Sequence, residues 1–279
     1  MRALCAALGL LAAFVAGCGF DESRPPASAP LPTLMPSPTG LPPATATPPP
    51  ADTGWQVAAP GVEQRRLRVP VAGGETSVSV ARIDPRQVRF SIGYAPEAPR
   101  SLVEWTRASG ALVAINGGFF DEAGHSVALL VHDGHATGTS YHGQGGIFAV
   151  SPAGVVSLRS LADVPYDPGE PLAEALQGWP MLVKPEAGAV YDHEDGVRAR
   201  RSALALDRAG RVLFIAAPAP AFTLRELATW LASSDLEVSA AVNLDGGSST
   251  GLIVQSERAP ERIEPFVPLP IVLLALPGP

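Results

Sequence analysis

Cysteine is almost absent from this 279-residue chain: Cys5 and Cys18 are the only two, and both fall within the first 18 residues. Everything after them must hold together by core burial rather than by cross-links. Basic runs are missing too. Against 27 Asp and Glu there are 20 Lys and Arg, a net charge of −7, which argues against a nucleic-acid partner. A local basic group is Arg198, Arg200 and Arg201. The apolar run from Ala3 to Val15 falls short of the roughly 20 residues that a membrane-spanning helix needs. No internal repeat is visible.

What the N-terminus does have is a basic Arg2, that short apolar run, and small residues at Val15-Ala16-Gly17 before Cys18. This is the architecture of a signal peptide over residues 1–17. The cysteine directly after it resembles a bacterial lipobox, which implies lipidation at Cys18, membrane anchoring and an extracytoplasmic location. Residues 18–53 are rich in Pro, Ala, Ser and Thr, with few large apolar side chains. Such a stretch cannot offset its ordering entropy and reads as an extended tether, about 100 Å long at ~3.1 Å per residue.

The folded domain is expected over residues 54–279. Alternation and β-branched content predict strands at 64–69, 76–83, 87–93, 111–115, 127–131, 147–150, 181–183, 203–206, 212–216, 252–254 and 271–276. Helical spacing predicts 100–109 and 224–233, the second opened by a capping box of Thr223 and Glu226. Many strands with few helices imply a single α+β domain of mixed, largely antiparallel sheets.

Two loops stand out. The strand through Ala240, Ala241 and Val242 runs into Asn243-Leu244-Asp245-Gly246-Gly247-Ser248-Ser249-Thr250-Gly251. Asp-Gly between apolar runs is a hairpin signal. Two glycines with flanking hydroxyls also let backbone N–H groups form an anion-binding nest beside one carboxylate. A second strand leads into Asn116-Gly117-Gly118-Phe119-Phe120-Asp121, with the same plan of short polar residue, two glycines and nearby carboxylate. Phe119 and Phe120 are either core or a wall beside that loop.

These two segments, with Gln177-Gly178-Trp179-Pro180-Met181-Leu182-Val183 and Arg201-Ser202-Ala203 between them, occur in the order seen in the phosphodiester glycosidase domain family. The chain resembles that family over roughly 64–276. Trp179 stands where glycine is frequent, and Ser202 where threonine is common. The resemblance implies hydrolysis of a sugar-1-phosphodiester, a phosphate-linked carbohydrate substrate, and a site drawn from both loops. Asp245 and Asp121 are then the carboxyl pair that glycoside cleavage uses. Arg201 and the amides of Gly246, Gly247 and Ser248 would hold phosphate. Asn116 and Asn243 would orient hydroxyls or carboxylates, with Gly117, Gly118 and Ser249 completing the loops.

Other signals are weaker. His132 and His135 flank an Asp-Gly turn and His142 precedes a glycine-rich loop, so all three read as solvated and no histidine metal site is expected. A divalent cation on Asp121 or Asp245 is the more plausible alternative, since hard cations prefer oxygen. Arg198 and Arg200 read as solvated charges on a strand edge, and 192–195 as an exposed turn. The Ser248-Ser249 pair is not taken for a nucleophile. The competing function is a surface lipoprotein that binds glycan or phosphosugar without catalysis. A purely structural hairpin domain would place the two glycine loops far apart.

Overall fold

The computed structural model describes residues 51–278. The expected signal peptide, the expected lipidation at Cys18 and most of the tether lie outside the described residues. The described residues ahead of the expected boundary are already paired. The Arg68 N–H donates to the Ala51 carbonyl (2.6 Å), and the Arg65 guanidinium grips the Asp52 carboxylate at 2.5 and 2.9 Å. That grip holds the Asp52 carboxyl down at about 2.

The chain opens with strands β1 (Gln56–Ala59), β2 (Val62–Val71), β3 (Gly74–Ile83) and β4 (Val88–Tyr94). Helix α1 (Leu102–Ser109) follows, then β5 (Val113–Asn116), β6 (Leu130–His132), β7 (His135–Thr137), β8 (Gly146–Val150) and β9 (Val156–Ser160). Next come β10 (Glu174–Gly178), β11 (Met181–Lys184), β12 (Gly188–Ala189), β13 (Ala199–Asp207) and β14 (Val212–Phe222). Helix α2 (Leu224–Ser233), β15 (Val238–Asn243), β16 (Leu252–Val254), β17 (Glu261–Ile263) and β18 (Ile271–Pro277) complete it.

Three sheets result. Eight strands pair as β1-β2-β3-β14-β13-β15-β11-β12, five as β7-β6-β10-β8-β9, and five as β17-β16-β5-β18-β4. Pairings between these strands are antiparallel, which corrects the expectation of mixed sheets. The α+β label fits only loosely, because strands dominate and the described residues hold two α-helices. Both helices have reciprocal caps, Ser101 with Glu104 and Thr223 with Glu226.

All three sheets bury side chains in one core: Phe90, Ile115 and Leu273 from one, Phe148 and Leu176 from the second, Leu204, Phe214 and Val242 from the third. Helix α2 covers the other face of the large sheet with Leu224, Leu227, Ala228 and Leu231. Helix α1 presents Leu102 and Trp105 to Ala114, Val272 and Leu274. Consequently β5, β10 and β15, one from each sheet, bring the Asn116, Gly178 and Asn243 ends together. Strand β10 escaped the sequence reading because Glu174 and Gln177 interrupt its apolar pattern. Both are buried and satisfied: Glu174 accepts from the Ile92 N–H (2.9 Å), and Gln177 bonds to Tyr141 N–H (2.9 Å) and Ser140 Oγ (2.8 Å).

Candidate active site

Asn116 is the joint between the two glycine loops. It is fully buried at the end of β5. Its Nδ2 donates to the Asp245 carbonyl (2.6 Å), and its Oδ1 accepts from Ser202 Oγ (2.6 Å) and the Gly251 N–H (3.1 Å). The Asp245 N–H in turn donates to the Gly117 carbonyl (3.2 Å), and the Leu244 N–H to the Ser202 carbonyl (2.9 Å). The loops are therefore bonded to each other, which removes the structural hairpin reading that set them apart. Ser202, standing where threonine is common, spends its hydroxyl on this joint.

Asn243 ties in the third sheet. Its Nδ2 donates to the Trp179 carbonyl (2.8 Å) and its N–H to the Pro180 carbonyl (2.9 Å), while its buried Oδ1 has no partner. Trp179 is 37% exposed and meets Tyr191 edge-on, ring centroids 6.1 Å apart, so an aromatic ring stands beside the loop. A buried amide oxygen without a donor suits a ligand hydroxyl or amide N–H.

Asp245 sits at the mouth of this joint, half-buried. Burial pushes its carboxyl above the usual range, while the Ser249 hydroxyl and the Gly246 N–H (2.9 Å to Oδ1) pull the other way. The Gly246 amide is thus committed to a neighbouring carboxylate rather than offered to a ligand. After it, Gly247 adopts φ 58° and starts a 3₁₀ turn over Gly247–Ser249, with Ser248 exposed and Ser249 buried. Gly247-Ser248-Ser249-Thr250-Gly251 spells Gly-x-Ser-x-Gly, but it leads into a strand, and its serine is 3% exposed in the turn. A nucleophile elbow instead exposes its serine between strand and helix.

Glycine serves close packing here more than ligand approach. A Cβ on Gly178 would lie 2.3 Å from the Asn243 carbonyl oxygen, and one on Gly118 2.7 Å from the Gln177 oxygen. Neither contact can yield without moving backbone. Gly178→Ala is expected to destabilise by about 3 kcal/mol, the upper range for overpacking, read as a fall in denaturation midpoint. An unchanged midpoint would show that the junction can relax.

The arginines divide in a way the sequence reading did not anticipate. Ser202 and Leu204 on β13 face the shared core and Asn116, whereas Ala203 and Ala205 face helix α2. Arg201 follows the second set. It is buried, with Nε donating to the Phe222 carbonyl (3.1 Å) and Nη2 to the Val197 carbonyl (2.7 Å), and burial lowers its proton affinity. Arg200 is also buried, not a solvated edge charge, and it lies on the Ser202 side. Arg198 is the exposed member, paired with Glu226 at 2.5 Å.

Asp121 is placed less favourably. Its Oδ1 accepts from the Ala123 N–H (3.0 Å) and the His125 N–H (2.8 Å), closing an exposed turn, and Oδ2 lies 3.8 Å from His125 Nδ1. Phe119 and Phe120 are half-buried, and Phe120 packs on the core. His135, His142 and residues 192–195 are exposed as expected. His132 is not simply solvated, since Nδ1 lies 3.2 Å from buried Glu174 Oε2, and with Asp133 these ligand atoms fall within 4.8 Å of one another. Glu174 also accepts the Ile92 N–H, which gives that carboxylate a structural role of its own.

A family model described as phosphodiester glycosidase matches residues 109–272, more than half of the chain and the whole span of both loops. The chain belongs to the phosphodiester glycosidase family. Among curated proteins none matches it. Solved structures show the same fold. The zebrafish N-acetylglucosamine-1-phosphodiester alpha-N-acetylglucosaminidase catalytic domain, auto-inhibited by its pro-peptide, is 19% identical with TM-score 0.62. That similarity covers 80% of this chain and 88% of that one. A Synechocystis protein described as hypothetical is 17% identical with TM-score 0.51, covering 78% of this chain and 62% of that one.

Proposed function

We propose that this protein is an exported, lipid-anchored hydrolase that cleaves a sugar-1-phosphodiester at its glycosidic bond. The observation that carries the reading is the Asp245 carboxyl, half-buried, raised in proton affinity, and fixed at the bonded junction of the two glycine loops. Perturbed carboxyls in such places favour acid–base work. The phosphate side of the bond leaves as a stabilised anion and needs little protonation, so the demand falls on the sugar side. There the C1–O bond breaks, water supplies hydroxyl to C1, and a phosphomonoester departs. Asp245 is the group proposed to activate water or trap C1. Asp121 serves as the second carboxyl through Oδ2, the oxygen its turn leaves to the His125 ring.

Asn243 Oδ1 and the Trp179 ring are proposed to receive the sugar, N-acetylglucosamine being the first candidate from the zebrafish enzyme's name. Gly247 and Ser248 are proposed to face the phosphate, with Gly117 and Gly118 closing the opposite loop. The test is an assay of the wild-type protein on an N-acetylglucosaminyl phosphodiester beside an aryl N-acetylglucosaminide. Free sugar from the phosphodiester alone supports the reading. Equal cleavage of both refutes the phosphate requirement, and binding without turnover favours the non-catalytic alternative.

Anchoring rests on the lipobox-like segment ending at Cys18. Cys18→Ser is expected to move the protein from the membrane fraction to the soluble one and to prevent incorporation of labelled fatty acid. Retention on membranes would remove the lipid from the account.

A further inference from the structure

Arg200 has donors to spare. Its Nη2 bonds to two carbonyls, Thr250 (2.9 Å) and Glu264 (2.8 Å), yet Nε and Nη1 are buried without a partner. The residue is 7% exposed. A guanidinium stays charged under all ordinary conditions, so unpaired buried N–H groups on it are costly unless something else accepts them. Its location gives that acceptor a place. The Arg200 carbonyl oxygen lies 2.9 Å from where a Cβ on Gly246 would stand, and its head reaches the other end of the same turn at Thr250. The guanidinium therefore underlies the segment that begins at Asp245.

A single aromatic ring covers it. Phe266 stacks with its centroid 4.0 Å from Arg200 Cζ, although the side chain is 76% exposed. Its segment is tied to the turn by the Phe266 N–H, which donates to the Ser248 carbonyl (2.7 Å). An exposed phenyl ring lying on a buried, under-bonded cation has little else to hold it there. Arg201, the arginine of the recognised motif, has Nε and Nη2 committed to carbonyls on the helix α2 side.

We infer that Arg200 is the phosphate anchor of this site and that Phe266 is its movable cover. The ligand chemistry is a phosphate mono- or diester oxyanion, which takes up the unpartnered Nε–H and Nη1–H groups once the ring is displaced. The inference rests on the phosphodiester reading for its substrate, but anion binding can be measured without turnover.

The probe is inorganic phosphate, titrated calorimetrically into the full chain and into Arg200→Lys and Phe266→Ala, with sulfate as a second anion. Wild type should bind phosphate. Arg200→Lys, which keeps the charge and loses the fork, should weaken binding by about tenfold or more. Phe266→Ala should tighten binding by about threefold, the worth of an exposed cation–π contact. On a glycosyl phosphodiester, Arg200→Lys should raise KM more than it lowers kcat.

No phosphate binding by wild type, or equal affinity in wild type and Arg200→Lys, overturns the inference. If Arg200→Lys does not fold, Phe266→Ala decides alone, because its ring is mostly exposed; unchanged affinity there overturns the inference. Phosphate binding that depends on Arg200 in a protein without turnover would sink the enzymatic reading and leave the anchor standing.

Discussion

Asp245→Asn is expected to lower turnover by at least about 10³-fold while leaving the protein folded and slightly more stable at neutral pH. The loss follows from the role given to the carboxyl, since positioned acid–base groups contribute about 10²–10⁴-fold and a nucleophile more. The stability gain follows from its environment. Burial raises the Asp245 carboxyl above its ordinary value, so the ionised form costs more in the folded chain than in the unfolded one. With a raised carboxyl, the native state is penalised as pH climbs from the ordinary carboxylate range through the folded value. Asparagine does not titrate and escapes that penalty, so its advantage should be present at pH 7 and vanish in acid. Thermal unfolding of both proteins from pH 3 to 8 measures this. A variant that is less stable at pH 7 would show that Asp245 is paired and structural rather than held in reserve for chemistry.

The second large effect belongs to Asn116. Asn116→Ala removes, at one stroke, the partner of Ser202 Oγ, the Gly251 N–H and the Asp245 carbonyl. Each buried group left without a partner costs roughly 1–3 kcal/mol, so for three of them a loss of about 3–9 kcal/mol is expected. That is a large share of a typical domain's 5–15 kcal/mol. Denaturant titration gives the value. Asn116→Asp should fall between, because it keeps acceptors for Ser202 and Gly251 but turns an acceptor toward the Asp245 carbonyl. A loss below about 1 kcal/mol for alanine would mean that the two loops are held together by something other than this side chain.

Much of the site was legible in the sequence because its local chemistry is distinctive. The Thr223–Glu226 box marked the start of helix α2, and the two Asn…Gly-Gly loops marked their own importance before any contact between them was known. What could not be read was direction. Alternation along β13 says that Arg200 and Arg201 point to opposite faces, but the register shift between Ala199 and Arg201 hides which face each one takes. The motif therefore drew attention to Arg201, while the under-bonded guanidinium is its neighbour. Strand β10 was hidden for a related reason. Its glutamate and glutamine look like surface residues until Ile92, Tyr141 and Ser140 are seen to satisfy them. The approach of one backbone to another, as at Gly178 and the Asn243 oxygen, leaves no trace in a linear sequence.

The central claim is that water attacks the sugar, not the phosphorus. Hydrolysis of a glycosyl phosphodiester in ¹⁸O-labelled water, with the released phosphomonoester read by ³¹P NMR, tests it directly. Glycosidic cleavage driven from Asp245 predicts a phosphomonoester free of ¹⁸O, formed by wild type and not by Asp245→Asn. A label on the phosphorus, or equal product from both proteins, would contradict the account.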